Sequence, residues 1–195
     1  MKLYTHPIST TCRPIMMFAA EQGIPLEMQV VDLFTGEHTK APYGAINPNH
    51  LIPVLEDGDF QLTESSAIMK YLAEKAGSPL YPKDLQQRAR VNERMDWINT
   101  QLGREFCYGV VYPQIFPHHK RRSAEAQEAT LQWGKEHAQR WLKVLDENIL
   151  GPGNNYLCGD SLTIADFYGA AFLTLGEVVG CRFSDYPNVQ RWLGR

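Results

Sequence analysis

Three short stretches carry the side chains with chemical potential. In the first, His6-Pro7-Ile8-Ser9-Thr10-Thr11-Cys12-Arg13, three hydroxyls precede a lone thiol at what reads as a strand-to-helix turn. A helix start carries about half a positive charge and several unpaired N–H donors, so an anion above the turn, a thiolate included, is stabilised. Ser9 to Cys12 has the spacing of a redox Cys-x-x-Cys turn whose first cysteine has become serine. Oxygen in place of sulfur removes the attacking thiol of dithiol exchange. A hydroxyl can instead donate a hydrogen bond to a thiolate that a ligand brings. Ser9 also reads as a plain helix cap.

The second stretch is Asn47-Pro48-Asn49-His50-Leu51-Ile52-Pro53-Val54. Pro53 heads a strand, where its missing N–H is tolerated at a first position, an edge or a bulge. A cis Ile52–Pro53 bond would turn the Ile52 amide and carbonyl outward to meet an extended ligand backbone; a trans bond would make an ordinary strand start. The third stretch, Leu62-Thr63-Glu64-Ser65-Ser66-Ala67, sets a carboxylate and two hydroxyls at a strand-to-helix junction. The Ser65 and Ser66 hydroxyls with the helix amides can hold a ligand carboxylate, and Glu64 can pair with a ligand ammonium. Taken alone, this stretch is a capped helix start.

The elements that must position these groups follow from periodicity. Lys2-Leu3-Tyr4 opens a strand, and Cys12 to Gln22 reads as a helix with Ile15, Phe18 and Ala19 on one face and Gly23 as its stop. Leu26, Met28 and Val30 alternate as in a half-buried strand, and a Gly/Pro/Asn-rich loop spans 35–49. Ile52–Leu55 and Phe60–Leu62 form two strands joined through Asp57-Gly58, a hairpin signal. Glu64 to Ala76 is a helix that buries Ile68, Tyr71 and Leu72 and stops at Gly77.

Residues 1–77 therefore read β-α-β-(loop/α)-β-β-α. Two prolines bracket a linker, 78–84, and 85–195 reads as helix throughout. One segment runs to Phe116 on Val91, Met95, Ile98, Leu102 and Phe106. Another runs from Ser123 to Leu150 on Leu131, Ala138, Leu142, Leu145 and Ile149, ended by Gly151-Pro152-Gly153-Asn154-Asn155. Thr163 and Asp166 form a capping box, so the conspicuous acid has a structural role. The fold class is an α/β domain followed by an all-α domain.

The chain has 195 residues, 44% apolar and 21% charged, within the range of globular proteins. Lys+Arg 19 against Asp+Glu 22 leaves a net charge of −3 and no electrostatic case for nucleic acid. Lys120-Arg121-Arg122 reads as a solvated turn. No apolar stretch reaches the ~18 residues of a membrane span, and no signal peptide opens the sequence, which points to the cytoplasm. Cys12, Cys107, Cys158 and Cys181 show neither disulfide-framework nor zinc spacing and read as reduced thiols. No metal, nucleotide or flavin site is expected.

In this order and spacing, the segments resemble the glutathione S-transferase family, and within it the serine-type theta and delta classes and their bacterial relatives. The stretches that carry the likeness are Ser9 to Arg13, Asn47 to Pro53, Asp57-Gly58-Asp59-Phe60, Thr63 to Ile68, Tyr112-Pro113-Gln114 and the Leu162-to-Phe167 cap. The resemblance implies a thioredoxin-like N-terminal domain that binds glutathione as co-substrate, without metal. It also implies an all-helical domain that receives the electrophile, a detoxifying conjugation reaction, and a homodimer.

Residue by residue, the likeness makes Ser9 the hydroxyl that stabilises the glutathione thiolate, with Thr10 and Thr11 as further hydroxyls at the same turn. Arg13 becomes a positive residue that tunes the thiolate or pairs structurally. Pro53 becomes a cis-proline with the Ile52 backbone on the cysteinyl part, and His50 a contact to the glycyl end. Glu64 and Ser65, with Ser66 beside them, grip the γ-glutamyl group. Phe106, Tyr108, Tyr112 and Phe116 are expected to line the pocket of a small hydrophobic electrophile; they are also plain core material. No cysteine stands at position 9 or 10, which sets aside the cysteine-type, deglutathionylating classes. The chain ends at Arg195, earlier than many relatives, so a final helix is expected to be shortened or missing. Rival readings are a non-catalytic binding module of the same fold, a glutathione-dependent dehalogenase, and a thiol oxidoreductase working through Cys12 alone.

Overall fold

In the computed structural model, which describes residues 1–195, the chain divides into two units, Met1–Tyr81 and Pro82–Arg195. The first holds β1 (Lys2–Thr5), α1 (Arg13–Glu21), β2 (Glu27–Val30), a short α2 (Ala41–Gly44), β3 (Val54–Asp57), β4 (Phe60–Leu62) and α3 (Ser65–Lys75). The sheet order is β2-β1-β3-β4, with β1 parallel to β2 and antiparallel to β3. The β3–β4 hairpin closes from Asp57 to Phe60. Leu3 and Leu55, directly opposite on neighbouring strands, share the fully buried core with Ile15, Phe18, Ile68, Met69 and Leu72 of α1 and α3.

Both long helices of this unit stop the same way. Gly23 and Gly77 take φ of 63° and 61°, a region open to glycine without steric penalty. The Gly23 amide then reaches Ala20 O and the Ile24 amide Ala19 O; Gly77 reaches Glu74 O and Ser78 reaches Ala73 O. These paired bonds satisfy the last free carbonyls of each helix. Tyr71 and Lys75 both bond Asp57 Oδ2, which moors α3 to the hairpin. Tyr71 is for that reason half-buried, where periodicity placed it in the core. The strand read from Leu26, Met28 and Val30 also differs from expectation: β2 is exposed along its length, with Val30 at 51%. It lies at the sheet edge.

In the second unit, the Asp84 side chain accepts the Gln87 amide at 2.9 Å and starts α4 (Leu85–Trp97). The helical run continues through Ile98–Leu102 and Arg104–Val111 in wider, π-type turns and closes as α5 (Tyr112–Ile115). Ser123 caps α6 (Ala124–Val144), which extends through Leu145–Leu150. Leu131, expected in the core, is half-buried; the buried contact one turn on is Gly134. Gly109 and Gly134 let the two long runs touch backbone to backbone. A Cβ on Gly134 would sit 2.4 Å from the Gly109 carbonyl carbon and oxygen.

α7 (Ile164–Thr174) and α8 (Pro187–Leu193) complete the unit. The Asp166 carboxylate accepts the Leu157 amide (2.8 Å), the Thr163 amide (2.8 Å), the Thr163 hydroxyl (3.0 Å) and the Trp192 indole N–H (3.0 Å). Burial pushes its pKa up, against the pull of those donors. Asp166 thus joins the loop, the start of α7 and α8. No helix is long and apolar enough to cross a membrane.

Candidate functional site

Strand order decides where the three chemical stretches lie. Tyr4 near the end of β1 faces Val54 at the start of β3, and Leu62 at the end of β4 faces Leu55. The turn after β1, the loop before β3 and the junction after β4 therefore sit at one end of the sheet. The sequence separations that hid this, 41 residues between Thr11 and Ile52, are closed by the antiparallel pairing.

Ser9 is 6% exposed at the foot of α1. The Cys12 and Arg13 amides donate to its carbonyl at 3.2 and 2.9 Å, and the Cys12 amide also lies 3.3 Å from its Oγ. Its hydroxyl is 3.0 Å from Thr11 Oγ1, which in turn donates to Ile52 O at 3.2 Å. Thr10 is buried, and Arg13 is half-buried in the first turn of α1. Cys12, fully buried behind the serine, has its thiol pKa raised by burial despite the hydrogen bonds around it. A thiol so placed is a poor nucleophile, because the thiolate is the reactive form.

The Ile52–Pro53 peptide is cis. Its loop is tied from below: Tyr43 Oη and Asn47 Nδ2 both donate to Leu51 O, at 2.9 and 2.7 Å, and the Asn49 amide folds back to Asn47 Oδ1. His50 takes φ 55°, with its Nδ1 3.0 Å from His38 O. Its ring lies where a side chain on Gly44 would be, 2.7 Å from that hypothetical Cβ. His38, buried in the segment read only as loop, is thus joined to the site by its carbonyl. Sequence reasoning missed it because no periodicity marks a loop residue.

At the third stretch, Glu64 is the residue just before α3 and takes φ 64°, ψ 112°. Side chains other than glycine rarely hold that conformation, and such strain gathers at functional sites. Glu64 is exposed, Ser65 is buried at the helix start and Ser66 is half-buried.

In the second unit, Tyr108, Tyr112, Phe116 and His119 form one aromatic cluster, with ring centroids 4.7 Å apart for Tyr108–Tyr112 and 5.4 Å for Tyr112–Phe116. Tyr108 is 49% exposed, while Tyr112 and Phe116 are buried. Phe106 stands apart, packed over Gly176 and beside Phe183.

Residues 8–75 match the glutathione S-transferase N-terminal domain and residues 106–195 the glutathione S-transferase C-terminal domain. The chain is 33% identical over its whole length to human glutathione S-transferase theta-1, covering 81% of that protein. The apo structure of the human T1-1 enzyme superposes with a TM-score of 0.86, covering 100% of this chain and 81% of that one. Human theta-2, solved with glutathione and an unknown ligand, gives 0.85 at 33% identity, over 100% of this chain and 79% of that one. A delta-class enzyme from Nilaparvata lugens gives 0.79 at 32%, over 99% of this chain and 86% of that one. With a sheet that brings serine turn, cis-proline loop and acidic helix start to one end, and with this identity over its full length, the chain belongs to the glutathione S-transferase family.

Proposed function

We propose that this transferase works through Ser9, whose hydroxyl donates to the sulfur of bound glutathione and holds it as thiolate. The observation that carries the reading is the placement of Ser9 at the foot of α1, one hydroxyl away from the Ile52 carbonyl of the cis-proline loop. A free thiol has a pKa near ~8.5 and is mostly protonated at neutral pH. Lowering it by ~2 units, ~2.7 kcal/mol, makes thiolate dominant. That is within reach of one hydrogen bond to a charge plus a helix N-terminus.

Around that sulfur, Ile52 and Pro53 would meet the cysteinyl backbone, His50 the glycyl carboxylate, and Glu64, Ser65 and Ser66 the γ-glutamyl ammonium and carboxylate. Thr10 and Arg13 lie at the same turn. The thiolate attacks an electrophilic carbon, displacing a leaving group or adding across an activated double bond; hydrolytic dehalogenation is a variant of the same attack. Tyr108, Tyr112 and Phe116 would receive the hydrophobic electrophile; Phe106, expected in the same pocket, packs apart from them over Gly176 and beside Phe183. The half-exposed Tyr108 ring is the part of that cluster open to a ligand. A cytoplasmic homodimer engaged in detoxification fits this reading.

The oxidoreductase alternative is disfavoured by Cys12, whose burial keeps the thiol protonated. The reading is tested by steady-state conjugation of glutathione with a panel of aryl halides and activated alkenes. Tyr108→Ala and Tyr112→Ala should each change KM for at least one electrophile severalfold; unchanged kinetics with every electrophile would remove the aromatic cluster from the site.

A further inference from the structure

The hydroxyl of Thr11 bonds two partners at once, and the chemistry of those partners sets the direction of each bond. A carbonyl oxygen only accepts, so the single Thr11 proton is committed to Ile52 O, at 3.2 Å. The 3.0 Å contact between Ser9 Oγ and Thr11 Oγ1 must then run from Ser9 to Thr11. Ser9 Oγ meanwhile receives the Cys12 amide at 3.3 Å. The result is a chain with one sense: Cys12 N–H to Ser9, Ser9 O–H to Thr11, Thr11 O–H to the Ile52 carbonyl. With the bonds in this sense, the Ser9 proton points at Thr11 rather than outward, and the Ile52 carbonyl already accepts one hydroxyl.

Resting on the reading that Ser9 activates the thiol, we propose that Thr11 is a positioning residue. It couples occupation of the Ile52 carbonyl by the ligand backbone to the direction of the Ser9 proton. A ligand N–H arriving at Ile52 O competes with the Thr11 hydroxyl, whose bond to that oxygen is long at 3.2 Å; on losing it, Thr11 rotates about its own bond and donates to Ser9 Oγ. Ser9, now accepting from both the Cys12 amide and Thr11, turns its own proton to the ligand sulfur. Two hydroxyl protons change direction and no covalent bond is made or broken. A donor that is itself hydrogen-bonded as an acceptor is polarised and donates more strongly, and a thiolate is a stronger acceptor than the neutral threonine it replaces. Glutathione would therefore bring both halves of the switch, the backbone that frees Thr11 and the sulfur that receives Ser9.

The test is the pKa of the bound glutathione thiol, read from thiolate absorbance against pH, in the parent, Thr11→Val, Thr11→Ser and Ser9→Ala proteins. Valine keeps the shape and removes the hydroxyl; serine keeps the hydroxyl. Thr11→Val is expected to raise the bound thiol pKa by about half a unit, roughly threefold less thiolate on the lower flank of the titration, and Thr11→Ser to restore it. In a Ser9→Ala background, Thr11→Val should produce no further shift, since Thr11 acts only through Ser9. A Thr11→Val protein that binds glutathione with the parental thiol pKa would overturn the proposal, as would a shift larger than that of Ser9→Ala, which would make Thr11 the direct donor. If Ser9→Ala itself leaves the thiol pKa where it was, the reading of Ser9 falls, and the coupling with it. Should Thr11→Val fail to fold, Thr11→Ala in the same titration decides between the same outcomes.

Discussion

Replacing Glu64 by glycine should stabilise the ligand-free protein and weaken its hold on glutathione. Glu64 sits at φ 64°, ψ 112° just before α3, outside the regions that side chains ordinarily occupy. Strain of this kind amounts to about 1–3 kcal/mol per residue. Glycine removes it, and returns about 0.4–1 kcal/mol through the freer unfolded chain. The side chain is exposed, so little packing is lost. The net expectation is a gain of about 0.5–2 kcal/mol in the absence of ligand. Binding moves the other way: a charge-assisted hydrogen bond to a ligand ammonium contributes about 1.5–3 kcal/mol, so affinity should fall at least tenfold.

Urea denaturation with an unchanged slope reports the first effect and titration calorimetry with glutathione the second. Glu64→Ala separates them, since it keeps the strained backbone and loses only the carboxylate. It should bind as weakly as Glu64→Gly without the added stability. A Glu64→Gly protein less stable than its parent, or one that binds glutathione as tightly, would refute the link between the strained junction and ligand recognition.

Two further outcomes test the second unit. Asp166→Ala leaves the Leu157 and Thr163 amides and the Trp192 indole N–H without their acceptor; at about 1–3 kcal/mol per orphaned buried donor, equilibrium unfolding should show a loss of about 3–5 kcal/mol. Gly134→Ala drives a Cβ to 2.4 Å from the rigid Gly109 backbone, so chemical denaturation should show a loss of about 1–3 kcal/mol even after the gain in helix propensity. Gly153→Ala, with open space around it, is the control and should leave stability near the parent's.

Much of the fold was legible because it rests on local rules. Gly23 and Gly77 end their helices as their positions foretold, the Asp57-Gly58 pair closes a hairpin, and Asp166 reaches back to the Thr163 amide. What periodicity misjudged was contact at a distance. Alternation in β2 says that one face is apolar, not that anything covers it, and Met28 and Val30 stay exposed at the sheet edge. Apolar spacing pointed to Leu131 and passed over Gly134, because a glycine chosen for close backbone approach carries no hydrophobic signal. The wider winding of Ile98–Leu102 and Arg104–Val111 keeps the apolar residues of an ordinary helix and leaves no mark in their pattern.

The site divides in the same way. Ser9, Pro53 and Glu64 could be singled out by residue type and neighbours, and the cis alternative at Ile52–Pro53 was one of two that the sequence left open. The Thr11 bridge to Ile52, the carbonyl of His38 under His50 and the backbone of Glu64 could not be singled out. The first depends on which strand ends the sheet brings together, the second on how the loop between β2 and β3 folds back on itself, and the third on backbone angles that residue type does not announce.

Thiolate absorbance of bound glutathione against pH, in the native protein and in Ser9→Ala, tests the proposed activity most directly. The native complex should titrate about 2 units below the free thiol, near ~8.5, and so hold mostly thiolate at neutral pH. In Ser9→Ala the loss of a hydrogen bond to a charge should move that pKa back up by about 1–2 units. Tight binding with no thiolate band, or a band that persists unchanged in Ser9→Ala, would contradict activation by Ser9.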